Sequence, residues 1–442
     1  MPNSWLAHLA LSLSFALAAP VILAADSSQA TAKLNHQGLE QLQKKHYDQA
    51  IELFRQALQL QPDFPEALDN LGRALDASGK ESEAVADFDK ALKIAPQNAA
   101  IHADKGLALF HEAKYEESAA AYRQALEIHK DFPEALNGLG AALLHLGQSD
   151  EALAAFRSAL ALNPKNVDAL NNLGTALLSQ NKPAEAVPYL RKAHHLQPNQ
   201  PDILENYARA LDESDQTHEA IAAYHILSNK HPEQSATWTH LGHLYAKSKR
   251  YDQAVSAFDK SLALKPDQPD VLLALGQLQL DQGKTTDASK SFERARALNP
   301  HDFYALYNLA NAYYAQKDYL QAADYYQKAY AQKPDHTDAL VGVANSQLAA
   351  NKFADAIATY QKLIPLKPDD PNLRFNQGTA FFNAGKFQDA AASYREAIRL
   401  NPSLAHAHYN LAQSLLRLND PNSAQSEFAE AHRLDPTLNA PK

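Results

Sequence analysis

The chain has 442 residues, 45% of them apolar and 21% charged, with a formal net charge of −10. Acidic and basic residues are interspersed, which argues against nucleic acid or an anionic membrane surface as the main partner. With no cysteine at all, disulfides, thiolate metal sites and cysteine nucleophiles are excluded.

The N-terminal segment Leu9 to Ala25 carries no charge, and the first basic side chain is Lys33. The segment is short for a membrane span and resembles the apolar region of an export signal. Small residues at Ala16 and Ala18, or at Ala24 and Ala25, offer cleavage sites, although no lysine or arginine precedes the segment. Residues 1–25 are therefore expected to be a signal peptide, or else an uncleaved anchor, followed by a short linker over 26–30. That places the mature protein in the periplasm or outside the cell. No other long apolar run exists, so no further membrane span is expected.

From residue 31 onward the prolines keep time. Pro62, Pro96, Pro164, Pro198, Pro232, Pro266, Pro300, Pro334, Pro368, Pro402 and Pro436 recur at a spacing of 34, or once 68, and the skipped slot holds Lys130. Twelve units of that length follow without insertion, beginning at 31, 65, 99, 133, 167, 201, 235, 269, 303, 337, 371 and 405, and ending at Leu438. Residues 439–442 form a tail. A gap-free period of this length marks a stacked repeat.

Counted from the start of each repeat, place eight is glycine or alanine throughout, as at Gly174 and Ala208. Place 20 is alanine except for Ser118, and place 24 is phenylalanine or tyrosine except for Leu190. Small residues facing a ring at fixed places predict two helices in close approach. Place 15 holds Gly79, Gly147, Gly283, Gly385, Asn181, Asn351 or Asn419, residue types that end a helix in the left-handed conformation. Pro183 and Pro421 follow two places later, where a second helix would begin. Apolar spacing between these stops is helical, as in Leu170, Leu173, Leu177 and Leu178. Pro188 and Pro365 fall inside second helices and are expected to bend them.

This arrangement resembles the tetratricopeptide repeat family, whose pattern is W-x2-L-G-x2-Y, then A-x3-F, then P. Repeat seven carries it most fully, with Trp238, Leu241, Gly242, Tyr245, Ala254, Phe258 and Pro266. The resemblance implies an all-α, right-handed superhelical α-solenoid of antiparallel helix pairs whose first helices line a concave groove. Neighbouring repeats share a continuous core because no single pair buries enough surface alone.

No phosphate-binding loop, H-E-x-x-H, G-x-S-x-G or Walker pattern is present, so neither an enzyme nor a cofactor is expected. His240 with His243, His194–His195, and His406 with His408 lack a third ligand at helical spacing and read as surface histidines rather than a metal site. Arrays that resemble this one precede the catalytic domain of O-linked N-acetylglucosamine transferases. Only Asn-Ala-Pro-Lys follows Leu438 here, and Gln425 and His432 give the last repeat the polar character of a terminal cap.

Asparagine recurs at place six: Asn70, Asn172, Asn206, Asn308, Asn376 and Asn410. Such amides suit sequence-independent pairing with an extended peptide backbone, and equally suit bracing one helix against the next. In repeats nine, eleven and twelve, Tyr304, Tyr307, Phe375 and Tyr409 stand at places two or five, flanked by Asn311, Asn345 and Gln413 at place nine. Rings beside amides make a plausible peptide or glycan surface. The candidate peptide-binding residues are thus Tyr304, Tyr307, Asn308, Asn311, Asn345, Phe375, Asn376, Tyr409, Asn410 and Gln413, with packing between first helices as the competing reading. Places two and five contain no lysine or arginine in any repeat, which argues against the carboxylate-clamping role known in the family. The expected function is an exported, non-enzymatic scaffold for protein or peptide partners, or alternatively a glycan-binding component of an envelope system.

Overall fold

The computed structural model describes residues 28–441, so the expected signal segment lies outside the described residues. Twenty-four helices and no strands occur within that span. Helix is already formed at residue 28, so residues 28–30 extend the first helix rather than a linker. The chain divides into two compact bodies, one running to Ala223 and the other from Tyr224. The border falls within the helix Thr217–Lys230.

Each repeat is a helix pair, as in repeat two, where Pro65–Ala77 is followed by Glu81–Ile94. Proline opens the first helix at no hydrogen-bonding cost, because the first N–H of a helix has no intrahelical partner. The break between paired helices is made at place 15, where all twelve residues have positive φ between 57° and 77°. Glycine and asparagine were expected there, yet Lys45, Ala113, Asp215, Lys249 and Lys317 adopt the same conformation. Five repeats therefore accept a steric penalty of roughly 1 kcal/mol to keep the turn.

The helix pair closes as the repeat pattern predicts. All twelve place-20 side chains, Ser118 included, are 0% exposed, and the twelve place-24 side chains are at most 6% exposed. A Cβ added at Gly174 would collide with Cγ of Leu190, far inside van der Waals contact. Glycine at place eight thus lets the place-24 side chain lie directly on the first-helix backbone. Ser118 keeps its hydroxyl in this dry seam by donating to the carbonyl of Gly106 at 2.6 Å.

The two interior prolines behave differently from expectation. Helix Pro183–Leu196 runs unbroken through Pro188. Pro365, instead of bending its helix, stops it: the second helix of repeat ten ends at Leu363 after 11 residues, against 14 in its neighbours, and the chain turns through 364–366.

Within each body, helices two apart that approach closely are pairs of first helices. Examples are Ala99–His111 with Pro133–His145, Pro133–His145 with Val167–Ser179, and Pro269–Asp281 with Phe303–Ala315. First helices therefore form the more tightly spaced layer, and their free face is the one on which places two, five, six and nine are displayed.

Candidate binding face of the first helices

In the N-terminal body the asparagines form rungs. Asn70 Nδ2 donates to Asn35 Oδ1 at 3.1 Å, Asn172 to Asn137 at 3.0 Å, and Asn206 to Asn171 at 3.0 Å. Each rung joins place six of one repeat to place five of the repeat before it. These amides brace neighbouring first helices, which explains why Asn171 and Asn172 are adjacent: one accepts from repeat six while the other donates to repeat four.

One rung is acidic. Asp104 at place six of repeat three stands in register with Asp69 at place five of repeat two. Burial, then the Asp104 charge, pushes the Asp69 carboxyl up to about 7, with Arg73 opposing and Glu66 reinforcing. Asp104 is also raised, by burial, with Arg73 opposing and Asp76 reinforcing. Arg73 reaches Asp104 at 3.7 Å, while Asp69 Oδ1 is buried without a hydrogen-bond partner. Where the other rungs share a proton donor, this one must hold an acidic proton or tolerate like charges.

Beside that rung a cavity of about 500 Å³ opens across the first helices of repeats three to five. Its polar lining includes Asp104, Glu134, Asp168, Asn137 and Asn172, and its rings are Phe110, Tyr122 and Phe132. Gly138 makes room for the Tyr122 ring: at the place where other repeats carry asparagine, a Cβ would run into Cζ of Tyr122. His111, also in the lining, is engaged by Asp76 at 2.8 Å.

The C-terminal body uses the same places differently. Tyr307 stacks on Phe303 with centroids 5.6 Å apart and meets Tyr326 edge-on at 5.5 Å. Phe375 lies 5.7 Å from Tyr394, and Tyr409 lies 5.3 Å from Phe428. These three candidate rings are half-buried and rest on the place-24 ring of their own repeat. Hydroxyls of that place-24 row take up the amides: Tyr326 donates to Asn311 Oδ1, and Tyr360 donates to Asn345 Oδ1 at 2.7 Å. Asn376 Nδ2 also donates to Asn345 Oδ1, at 3.2 Å. Asn376 and Asn410 sit against the hydroxyls of Tyr360 and Tyr394, partly offsetting the burial that raises both phenols.

Three further candidates make no side-chain hydrogen bond among the described residues. Tyr304 is 56% exposed, and Asn308 and Gln413 are half-buried. Tyr304 and Asn308 are four residues apart and share a helix face. Lys333 Nζ lies 4.6 Å over the Tyr304 ring, so this corner carries a cation. The acidic cavity around Tyr122 escaped the sequence reading. Its signal was present: Gly138 and Gly342 are the two glycines that fall on neither structural place, and each stands at place six of a repeat that follows a place-24 tyrosine.

Of the clustered histidines, His195, His243 and His406 are exposed, while His194 and His240 pack on rings. Tyr224 and His240 stack at 4.9 Å, and His243 meets Phe258 edge-on at 5.0 Å. His408, expected at the surface, is 7% exposed, with Nδ1 2.6 Å from Glu427 and Nε2 3.1 Å from the Pro402 carbonyl. Its ring fills a position in the terminal repeat that an apolar residue would occupy elsewhere. Among the described residues no group of three or more His, Asp or Glu is placed to hold a metal ion, and no helix is long and apolar enough to cross a membrane.

Stacked helix pairs with a buried small-residue seam and a displayed first-helix face define a helical-repeat scaffold of the kind that binds other proteins, a fold typically without catalytic activity. The chain belongs to the tetratricopeptide repeat family. Models of that repeat match residues 36–99, 103–166, 143–201, 273–337 and 375–439, with further matches over 177–244, 313–374 and 233–300. No functionally curated protein matches the chain at a significant level. Similar solved structures include YrrB, described as a TPR protein with an unusual peptide-binding site: 24% identity, 45% of this chain and 97% of that one, TM-score 0.40. A thermophilic TPR protein of Thermus thermophilus is 23% identical over 41% of this chain and 99% of its own, with TM-score 0.38. Yeast Tom70 is 18% identical over 93% and 98%, with TM-score 0.33.

Proposed function

We propose that this chain is an exported, non-catalytic scaffold that grips extended segments of partner proteins along the face of its first helices. The observation that carries the reading is the pair Tyr304 and Asn308: a 56% exposed ring beside an amide that makes no internal hydrogen bond. Exposed tyrosine is enriched among interface anchors, and an uncommitted amide can both donate to and accept from a peptide backbone. Tyr307, although on the same face, is a poor probe of binding because its ring supports the core.

Export rests on the uncharged Leu9 to Ala25 segment, and fractionation with N-terminal sequencing tests it. The mature chain is expected outside the cytoplasm, starting between Ala19 and Asp26; a full-length cytoplasmic chain contradicts export. Binding is tested by a photo-crosslinking residue placed at Tyr304 or, as a control, at Leu320, which is 60% exposed on a second helix. Partner proteins from the native envelope should be captured from position 304. Capture from position 320 alone would move the binding surface to the second helices.

A further inference from the structure

The acidic cavity of repeats three to five has a chemistry of its own. Three place-24 tyrosines of the C-terminal body satisfy their hydroxyls at place nine of the same repeat: Tyr326 with Asn311, Tyr360 with Asn345, and Tyr394 with Thr379 at 3.2 Å. In repeat three place nine is Leu107, and Tyr122 makes no side-chain hydrogen bond although it is only 4% exposed. Its phenol is raised by burial and by the charges of Asp104 and Asp76, so it stays protonated and faces a negative field. The ring is buried, but the phenol oxygen makes no protein hydrogen bond and opens on the cavity, where an incoming ligand can bond to it.

The charges indicate which ligand. Asp104, Glu134 and Asp168 line the cavity with no lysine or arginine in the lining, while Arg73 is engaged by Asp104 and Lys105 by Asp89 at 2.6 Å. Places two, five and six of repeats one to six hold no lysine or arginine. The acids are not grouped to hold a metal ion. Rings of Phe110, Phe132 and Tyr122 in the same lining add faces on which a delocalised cation can rest.

We propose that this cavity receives a basic side chain, arginine above lysine, from an extended segment of a partner protein. The planar guanidinium can donate to carboxylates on two sides and to the tyrosine oxygen while lying against a ring, which a compact ammonium does less well. This deepens the groove-binding reading above and rests on it.

The test uses the full chain and a fluorescein-labelled peptide of repeating Gly-Ser-Arg, with citrulline and glutamate versions as controls, read by fluorescence anisotropy. The arginine peptide should bind at least about tenfold tighter than the citrulline peptide, a difference of about 1.4 kcal/mol. Its affinity should fall with added salt. Glu134→Gln with Asp168→Asn, both exposed and safe for folding, should erase most of that preference. Tyr122→Phe should weaken arginine binding several-fold without changing thermal unfolding, since phenylalanine stands at this place in repeats one, two and four. Leu320→Ala, on a second helix of the other body, should leave it unchanged. Equal binding of arginine and citrulline peptides, or an affinity indifferent to the acid variants, overturns the assignment. Crosslinking from position 304 reports separately on the groove reading, so the two can fail independently.

Discussion

The two bodies are built from one repeat and share every core place, yet their first-helix faces are made from different material. In the N-terminal body three rungs between places five and six are amide pairs that bond from helix to helix, as Asn172 does to Asn137. In repeats nine, eleven and twelve of the C-terminal body, place five is an aromatic ring resting on place 24. Amides at place six there turn to tyrosine hydroxyls instead, as Asn376 does to Tyr360. An asparagine at place six is therefore a brace in one setting and a partner of a phenol in another. In Asn308 it is neither. Residue type alone does not assign the role; the neighbour at place five or place 24 does.

The largest effect should come from Gly174→Leu, whose side chain would collide with Leu190. A cost of about 3 kcal/mol is expected. Since each repeat touches only its neighbours, hydrogen exchange should accelerate in repeats four to six and remain slow in repeats ten to twelve. Uniform acceleration would dissolve the distinction between two independently built bodies.

Next is the acidic rung. The folded-state value of Asp69, about 7, lies above its ordinary 3.8, so folding binds a proton between those values and stability falls as pH rises through that window. Asp69→Asn, facing Asp104, Glu66 and Arg73, should restore an amide rung. The gain should be near zero below about pH 4 and reach on the order of 2 kcal/mol above about pH 7, after allowance for solvent at this partly exposed face. Urea titrations at both pH values measure it. A gain independent of pH would show that the carboxyl is not protonated in the fold.

A smaller contrast separates the asparagines themselves. Asn172→Ala removes a bracing hydrogen bond and should cost about 1 kcal/mol, whereas Asn308→Ala removes none and should cost close to zero. Equal costs would erase the difference between a bracing amide and a free one. Smallest of all are the turns. Ala113→Gly and Lys249→Gly, at φ of 59° and 58°, should each stabilise by about 0.5 kcal/mol in thermal unfolding. The same sign in both bodies would confirm that the contrast is confined to the face and does not reach the turns.

Much of this fold is legible in the sequence because the period repeats without a gap and the small-residue places recur in every copy. Gly174 against Leu190 could be read from spacing alone. The left-handed turns at Lys45, Ala113 and Lys249 could be placed only by register, since those residue types do not advertise positive φ. The face was harder. A rung joins place six to place five of the repeat before, and that offset carries meaning only once adjacent first helices are known to touch. Tyr307, Phe375 and Tyr409 read as groove residues by place, but a ring at place five is long enough to reach the place-24 ring behind it. The place of Tyr122 at the acidic cavity depends on Gly138, whose missing side chain admits the ring, and on Leu107 standing where a hydroxyl's partner would be.

Display selection of random peptides on the full chain tests most directly whether the two faces have separate ligand chemistry. It should be run in parallel on the Glu134→Gln/Asp168→Asn variant and on the Tyr304→Ala/Asn308→Ala variant. The unaltered chain should enrich two peptide classes, one rich in arginine and sensitive to salt, one not. The acid variant should lose only the first class, and the tyrosine variant only the second. Loss of the same peptides from both variants, or unchanged enrichment in either, would contradict two chemically distinct binding faces on one repeat scaffold.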